Sequence, residues 1–293
     1  MKWKRVGGGG DVIDTRGRSG GGMPGGRVAI PGGLGVVGVI VYLAITLLGG
    51  GGGAAFDVPG AFDTGTGSPA AAPIPASQDP ERDLKDFSVY VFTDVQKFWE
   101  RTFQRDGKSS EHAKLVLYRN GVSTGGCGSA SSAVGPFYCP GDQRVYLDLS
   151  FEREMGDRLG AKGDFAWAYV IAHEMGHHVQ QQVGTSAQVS QQQRANRDQA
   201  NELSVRLELQ ADCYAGVWAH GAFAAGQLEQ GDIEEALGAA NAVGDDRLQR
   251  QAQGSVNPDS FTHGTSEQRM RWFRNGYDGG DPGACDTFSA ESL

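Results

Sequence analysis

The sequence has no excess of positive charge. Its 26 Lys and Arg stand against 35 Asp and Glu, a net of −9 over 293 residues. That excludes a general nucleic-acid binder, whose affinity rests on neutralising phosphates. No Gly-X-Y period runs through the 46 glycines, so collagen is excluded. The four cysteines form no CxxC and no zinc-knuckle spacing. No internal repeat is visible. What is present is a core-forming composition: 39% hydrophobic residues with 13 Phe, 8 Tyr and 5 Trp, too apolar for a wholly disordered chain.

Charge is unevenly placed. Residues 1–27 carry Lys2, Lys4, Arg5, Arg16, Arg18 and Arg27 against Asp11 and Asp14, whereas the chain from residue 80 onward is acidic. Between them, Val28 to Leu48 is free of charge for 21 residues, enough as a helix to cross roughly 30 Å of hydrocarbon. Basic residues before this span and none soon after predict a signal anchor: a basic cytoplasmic tail (1–27), a transmembrane helix (28–48), and the remainder in the periplasm or outside the cell. A cleaved signal peptide is the rival, disfavoured by the long basic region. Residues 49–80, rich in Gly, Ala and Pro, read as a flexible tether, and 81–293 as the globular domain.

Within that domain the pattern is α+β, mainly helical with a small sheet. Leu84, Phe87, Val91, Val95, Phe98 and Trp99 recur at helical spacing, predicting a helix over 83–103. Strands are predicted at 114–118 and 144–149, and helices at 164–182, 194–224, 232–243 and 265–277, the last with a capping box from Thr265 to Gln268. Cys127, Cys139, Cys213 and Cys285 are an even set, favouring two disulfides with three possible pairings; four buried thiols are the alternative. Cys127 and Cys139 bracket one Gly/Ser-rich loop, which would leave Cys213 with Cys285.

The chemistry lies in His173-Glu174-Met175-Gly176-His177, an HExxH on the apolar helix. Helical i, i+4 spacing puts both imidazoles on one face, able to bind one zinc ion. Glu174, about 100° further round, can take a proton from a metal-bound water without being a ligand. In the longer HExxHxxGxxH motif residue 180 would be Gly and residue 183 the third histidine; here they are Gln180 and Val183. The third ligand is instead assigned to Glu208, in a polar stripe Ser204, Glu208, Asp212 on an otherwise apolar helix; Glu202 is the weaker choice. Asp212, one turn beyond Glu208, would accept a bond from the far nitrogen of a liganding histidine. His178 points away from the His173 face and is read as a neighbour of the site or a surface group. His112 and His220 are read as structural or exposed.

The strings LSVRLELQADCYAGVWA, AYVIAHEMGHHVQ, CGSASSAVGPFYCP, VYLDLSF and HGTSEQRMRWF, with the opening MKWKRVGGGGDVIDTRG, resemble the YpfJ-like neutral zinc metallopeptidases, single-pass membrane proteins of bacteria. The resemblance implies a zincin-type fold and peptidase activity. His263, six residues before Arg269, is similar to the His and Arg that follow the glutamate ligand in membrane-bound prenyl-protein peptidases. That likeness implies stabilisation of the tetrahedral oxyanion. The expectation is a membrane-anchored zinc endopeptidase acting on a peptide or protein substrate, with a non-proteolytic, metal-bearing envelope-binding domain as the alternative.

Overall fold

The structure, a computed structural model, describes residues 1–7, 9–17 and 74–293. Three strands run parallel: β1 (Val12–Asp14), β2 (Lys114–Tyr118) and β6 (Arg144–Asp148), in the order β1-β2-β6. The edge strand β5 (Phe137–Cys139) pairs antiparallel with β6. A hairpin of β3 (Gly121–Ser123) and β4 (Ser129–Ser131) stands beside the sheet.

Period-2 alternation explains the layering. Leu115, Leu117, Val145 and Leu147 face the main helical core, while Val116, Tyr118, Phe137 and Tyr146 form a second cluster on the other face. The Cys127–Cys139 disulfide closes the loop over that second cluster. The sheet is therefore covered on both sides.

The helices are α1 (Arg82–Arg105), α2 (Ser150–Arg158), α3 (Asp164–Val183), α4 (Thr185–Ala195), α5 (Ala200–Ala224), α6 (Asp232–Ala242), α7 (Asp245–Gln253) and α8 (Ser266–Gly279). α3 is central. It packs against α1, α5 and α6, and every residue from Phe165 to Gly176 is buried, as its all-round apolarity requires. α8 crosses α5 so closely that a Cβ at Gly276 would stand 2.0 Å from the carbonyl oxygen of Cys213. The Cys213–Cys285 disulfide then ties the C-terminal segment to α5. Thr265 and Gln268 form the capping box of α8.

Two expectations change. The helix predicted over 194–224 is broken at Asn196, whose backbone is extended and whose side chain accepts from the Asp198 amide to start a short 3-10 turn. Competition of an Asn side chain for local backbone donors is a known helix breaker.

The second change concerns the N-terminal tail. Of the predicted tail (1–27), the described residues 1–7 and 9–17 pack on the domain. β1 extends the sheet, Trp3 packs on Phe87 and Tyr90, and the Met1 amino group lies 2.7 Å from Asp164 at the start of α3. Arg16 is buried between Asp14, Asp79 and Glu81, its guanidinium 2.7 Å from a buried Asp79 oxygen. Burial opposes the Asp79 charge, but Arg16 outweighs it and holds that carboxyl down at about 2. Asp79 also brings the end of the predicted tether into the fold. The predicted membrane segment (28–48) and most of the tether (49–73) lie outside the described residues. Among the described residues, no helix is long and apolar enough to cross a membrane.

Candidate metal centre

α3 and α5 cross at Gly176, where an added Cβ would meet the Ala211 backbone at about 3.0 Å. A larger residue would push α5 away from the HExxH helix. This close approach brings Glu208 between the two histidines: its Oε2 is 3.2 Å from His173 Nε2 and its Oε1 is 3.5 Å from His177 Nε2. Tetrahedral donors at zinc bond lengths stand about 3.3 Å from one another. These donors therefore fit a zinc ion, and they form one of two groups of candidate ligands among the described residues. The other, Asp164, Asp232 and Glu235, surrounds the Met1 amino group.

Charge in this buried site is balanced by a network behind the ligands. Asp212, fully buried, accepts from His173 Nδ1 at 2.8 Å, from the Tyr169 hydroxyl at 2.5 Å, and from Arg269 Nε and Nη2 at 2.8 and 2.9 Å. Burial opposes the Asp212 charge, but Arg269 and then His173 outweigh it and lower its pKa. For His173, burial acts to lower the pKa, while the Asp212 charge and hydrogen bond, then Glu208, raise it to about 10. Glu208 is held well below the usual carboxylate range: burial works against its charge, and His177, His263 and His173 favour it. Before a metal arrives, His173 thus holds its proton and Glu208 its charge.

The sequence-predicted residues divide by location. His173, His177, Glu208 and Asp212 come together, with Glu174 buried on the same helix. Glu202 does not join them; it is exposed and paired with Arg206 at 2.9 Å. His263 lies close enough to Glu208 to influence its charge, with Nδ1 2.9 Å from Thr262 Oγ1 and 3.4 Å from Asp245. Burial lowers its pKa, but Glu208 and Asp245 raise it on balance. Arg269 departs from the implied oxyanion role, because its guanidinium is spent on Asp212 and Tyr169. His178 is buried and structural, 3.0 Å from the Tyr138 hydroxyl and 2.8 Å from the Glu111 carbonyl. His112 is half-exposed beside Asp11, and His220 donates to the Tyr277 carbonyl.

Three participants went unpredicted. Tyr169 is four residues before His173 and Gln180 three after His177, so both continue the stripe that the motif begins. Asp245, whose carboxylate accepts from the backbone amides of Thr262, His263 and Gly264, had no sequence signal.

An HExxH helix crossed by a helix bearing a glutamate donor is the arrangement expected of a zinc metallopeptidase. The chain belongs to the family described as "Putative neutral zinc metallopeptidase", whose model matches residues 1–288. It is similar to the uncharacterized protein YpfJ of Escherichia coli K12, at 48% identity over 98% of this chain and 99% of that one. It is also similar to the uncharacterized proteins Rv2575 of Mycobacterium tuberculosis and Mb2605 of Mycobacterium bovis, each 47% identical over 61% of this chain and 63% of theirs. No solved structure matches it.

Proposed function

We propose that the protein is a zinc-dependent endopeptidase in which His173, His177 and Glu208 hold one metal ion and Glu174 is the general base. The observation that carries this reading is the convergence of those three donors beside a buried glutamate on the same helix. Zinc, when bound, supplies Lewis acidity and brings a water's pKa to about 7. Glu174 accepts that water's proton and later passes it to the leaving amine. His263, whose raised pKa favours the imidazolium, would donate from Nε2 to the oxygen that becomes negative as the carbonyl is attacked, a contribution of about 3 kcal/mol. Peptide or protein is the substrate.

The proposal places the enzyme at a bacterial membrane, on the side away from the cytoplasm. Two disulfides suit an oxidising compartment outside the cytoplasm. The packing of residues 1–17 argues that the N-terminus shares that compartment instead of remaining in the cytoplasm.

Glu174→Gln tests the mechanism. The amide preserves shape but loses the proton acceptor, so the variant should retain zinc and lose chelator-sensitive cleavage of an unfolded protein. Wild-type turnover by Glu174→Gln would refute the assignment.

A further inference from the structure

We infer that Gln180 and Gln210 are positioning residues that set the tautomer of His177. The inference rests on the zinc-site reading for its function, but its geometry stands alone. Gln180, fully buried one turn after His177, has Oε1 2.9 Å from His177 Nδ1. Its Nε2 is 2.7 Å from the Leu207 carbonyl and 3.1 Å from Gln210 Oε1. Gln210 Nε2 in turn lies 3.0 Å from the carbonyl of Cys285.

A backbone carbonyl can only accept. The Leu207 carbonyl therefore requires the amide NH2 of Gln180 at that end and leaves its oxygen facing the imidazole. The Cys285 carbonyl independently fixes Gln210 in the same sense, so that its oxygen accepts from Gln180. With an acceptor fixed against Nδ1, that nitrogen must carry the proton. The lone pair is left on Nε2, the nitrogen facing Glu208. His173 receives the same instruction from the charged Asp212, whereas His177 receives it from an uncharged chain. That chain ends on the segment fastened to α5 by Cys213–Cys285, so the C-terminal residues help to orient a ligand they do not touch.

The test uses the full-length protein and three variants. Gln180→Met keeps the volume and removes the acceptor; Gln180→Glu restores an acceptor for Nδ1 but loses the donor to Leu207; Gln210→Met breaks the chain one step further out. In metal-free protein labelled with 15N-histidine, the neutral ring of His177 should carry its proton on Nδ1. It should shift to a mixture in Gln180→Met. By chelator competition, Gln180→Met should bind zinc about 10–100-fold more weakly, Gln210→Met should lose less, and Gln180→Glu should recover most of the affinity while remaining less stable to urea. A purely structural glutamine would make zinc affinity follow stability, with Gln180→Glu no better than Gln180→Met. That ranking, or a wild-type His177 protonated on Nε2, overturns the inference. Wild-type protein that shows the Nδ1 proton but binds no zinc would refute the zinc reading and leave the tautomer assignment standing.

Discussion

Replacing Asp212 by Asn should damage both the fold and the metal site, by separable amounts. The carboxylate accepts from His173, Tyr169 and twice from Arg269, at 2.5–2.9 Å, and none of it is exposed. An amide has one acceptor oxygen where two are needed, and its NH2 would confront a donor. It also leaves the buried Arg269 guanidinium without its anion, a loss of about 3–5 kcal/mol for a broken buried pair. Zinc affinity should fall separately, by about 10–100-fold, as His173 loses the charged acceptor that fixes its ring. Urea unfolding of metal-free protein reads the first effect and chelator competition the second. The double variant Asp212→Asn/Arg269→Met distinguishes them, since removing the stranded cation should restore stability without restoring zinc binding. A loss below about 1 kcal/mol in Asp212→Asn, or zinc affinity restored in the double variant, would refute the reasoning.

Glu208→Ala should lose most of its zinc, whereas Glu202→Ala, which breaks only an exposed pair with Arg206, should keep a full equivalent; equal zinc content in the two variants would show the third ligand misassigned. Zinc affinity should rise with pH, because His173, with its pKa near 10 in metal-free protein, must release a proton to bind; titrations at stepped pH should gain up to about tenfold per unit for that proton. The stability of the metal-free protein should run the other way: the raised pKa contributes fully below the unfolded value near 6.5 and is lost as pH climbs through 10, so parallel trends would be inconsistent with the proposed linkage. Arg16→Met should destabilise the whole domain by about 3 kcal/mol, because buried Asp79 loses its buried partner and keeps only Lys85, 3.3 Å away; an unchanged urea midpoint would mean that residues 1–17 stand apart from the domain after all.

What the sequence made legible follows from the range of the interactions involved. The HExxH stripe, the long apolar helix and the capping box of α8 are set by residues within one or two turns of each other. Both disulfides could be proposed because cysteines are few: Cys127 and Cys139 close a local loop, which leaves Cys213 with Cys285, 72 residues apart. Asp212 was legible too, as a polar residue one turn from Glu208 on an apolar helix. Its heaviest partner was not: Arg269 comes from another helix, 57 residues away, and nothing about an arginine in a first turn says that it is buried.

The N-terminal segment presents the same difficulty on a larger scale. Basic residues before an apolar span are a statistical signal about membrane sidedness, and Arg16 contributed to it. In the fold Arg16 is neutralised by Asp14, Asp79 and Glu81, and Arg5 by Asp83 and Asp86, so two of the six charges counted as a cytoplasmic signal are committed to the domain itself. With Val12–Asp14 hydrogen-bonded to β2, moving the segment across a bilayer would strand a sheet edge and a buried carboxylate cluster. The energetic demand of those partners is specific to this chain, whereas the positive-inside tendency is an average over many.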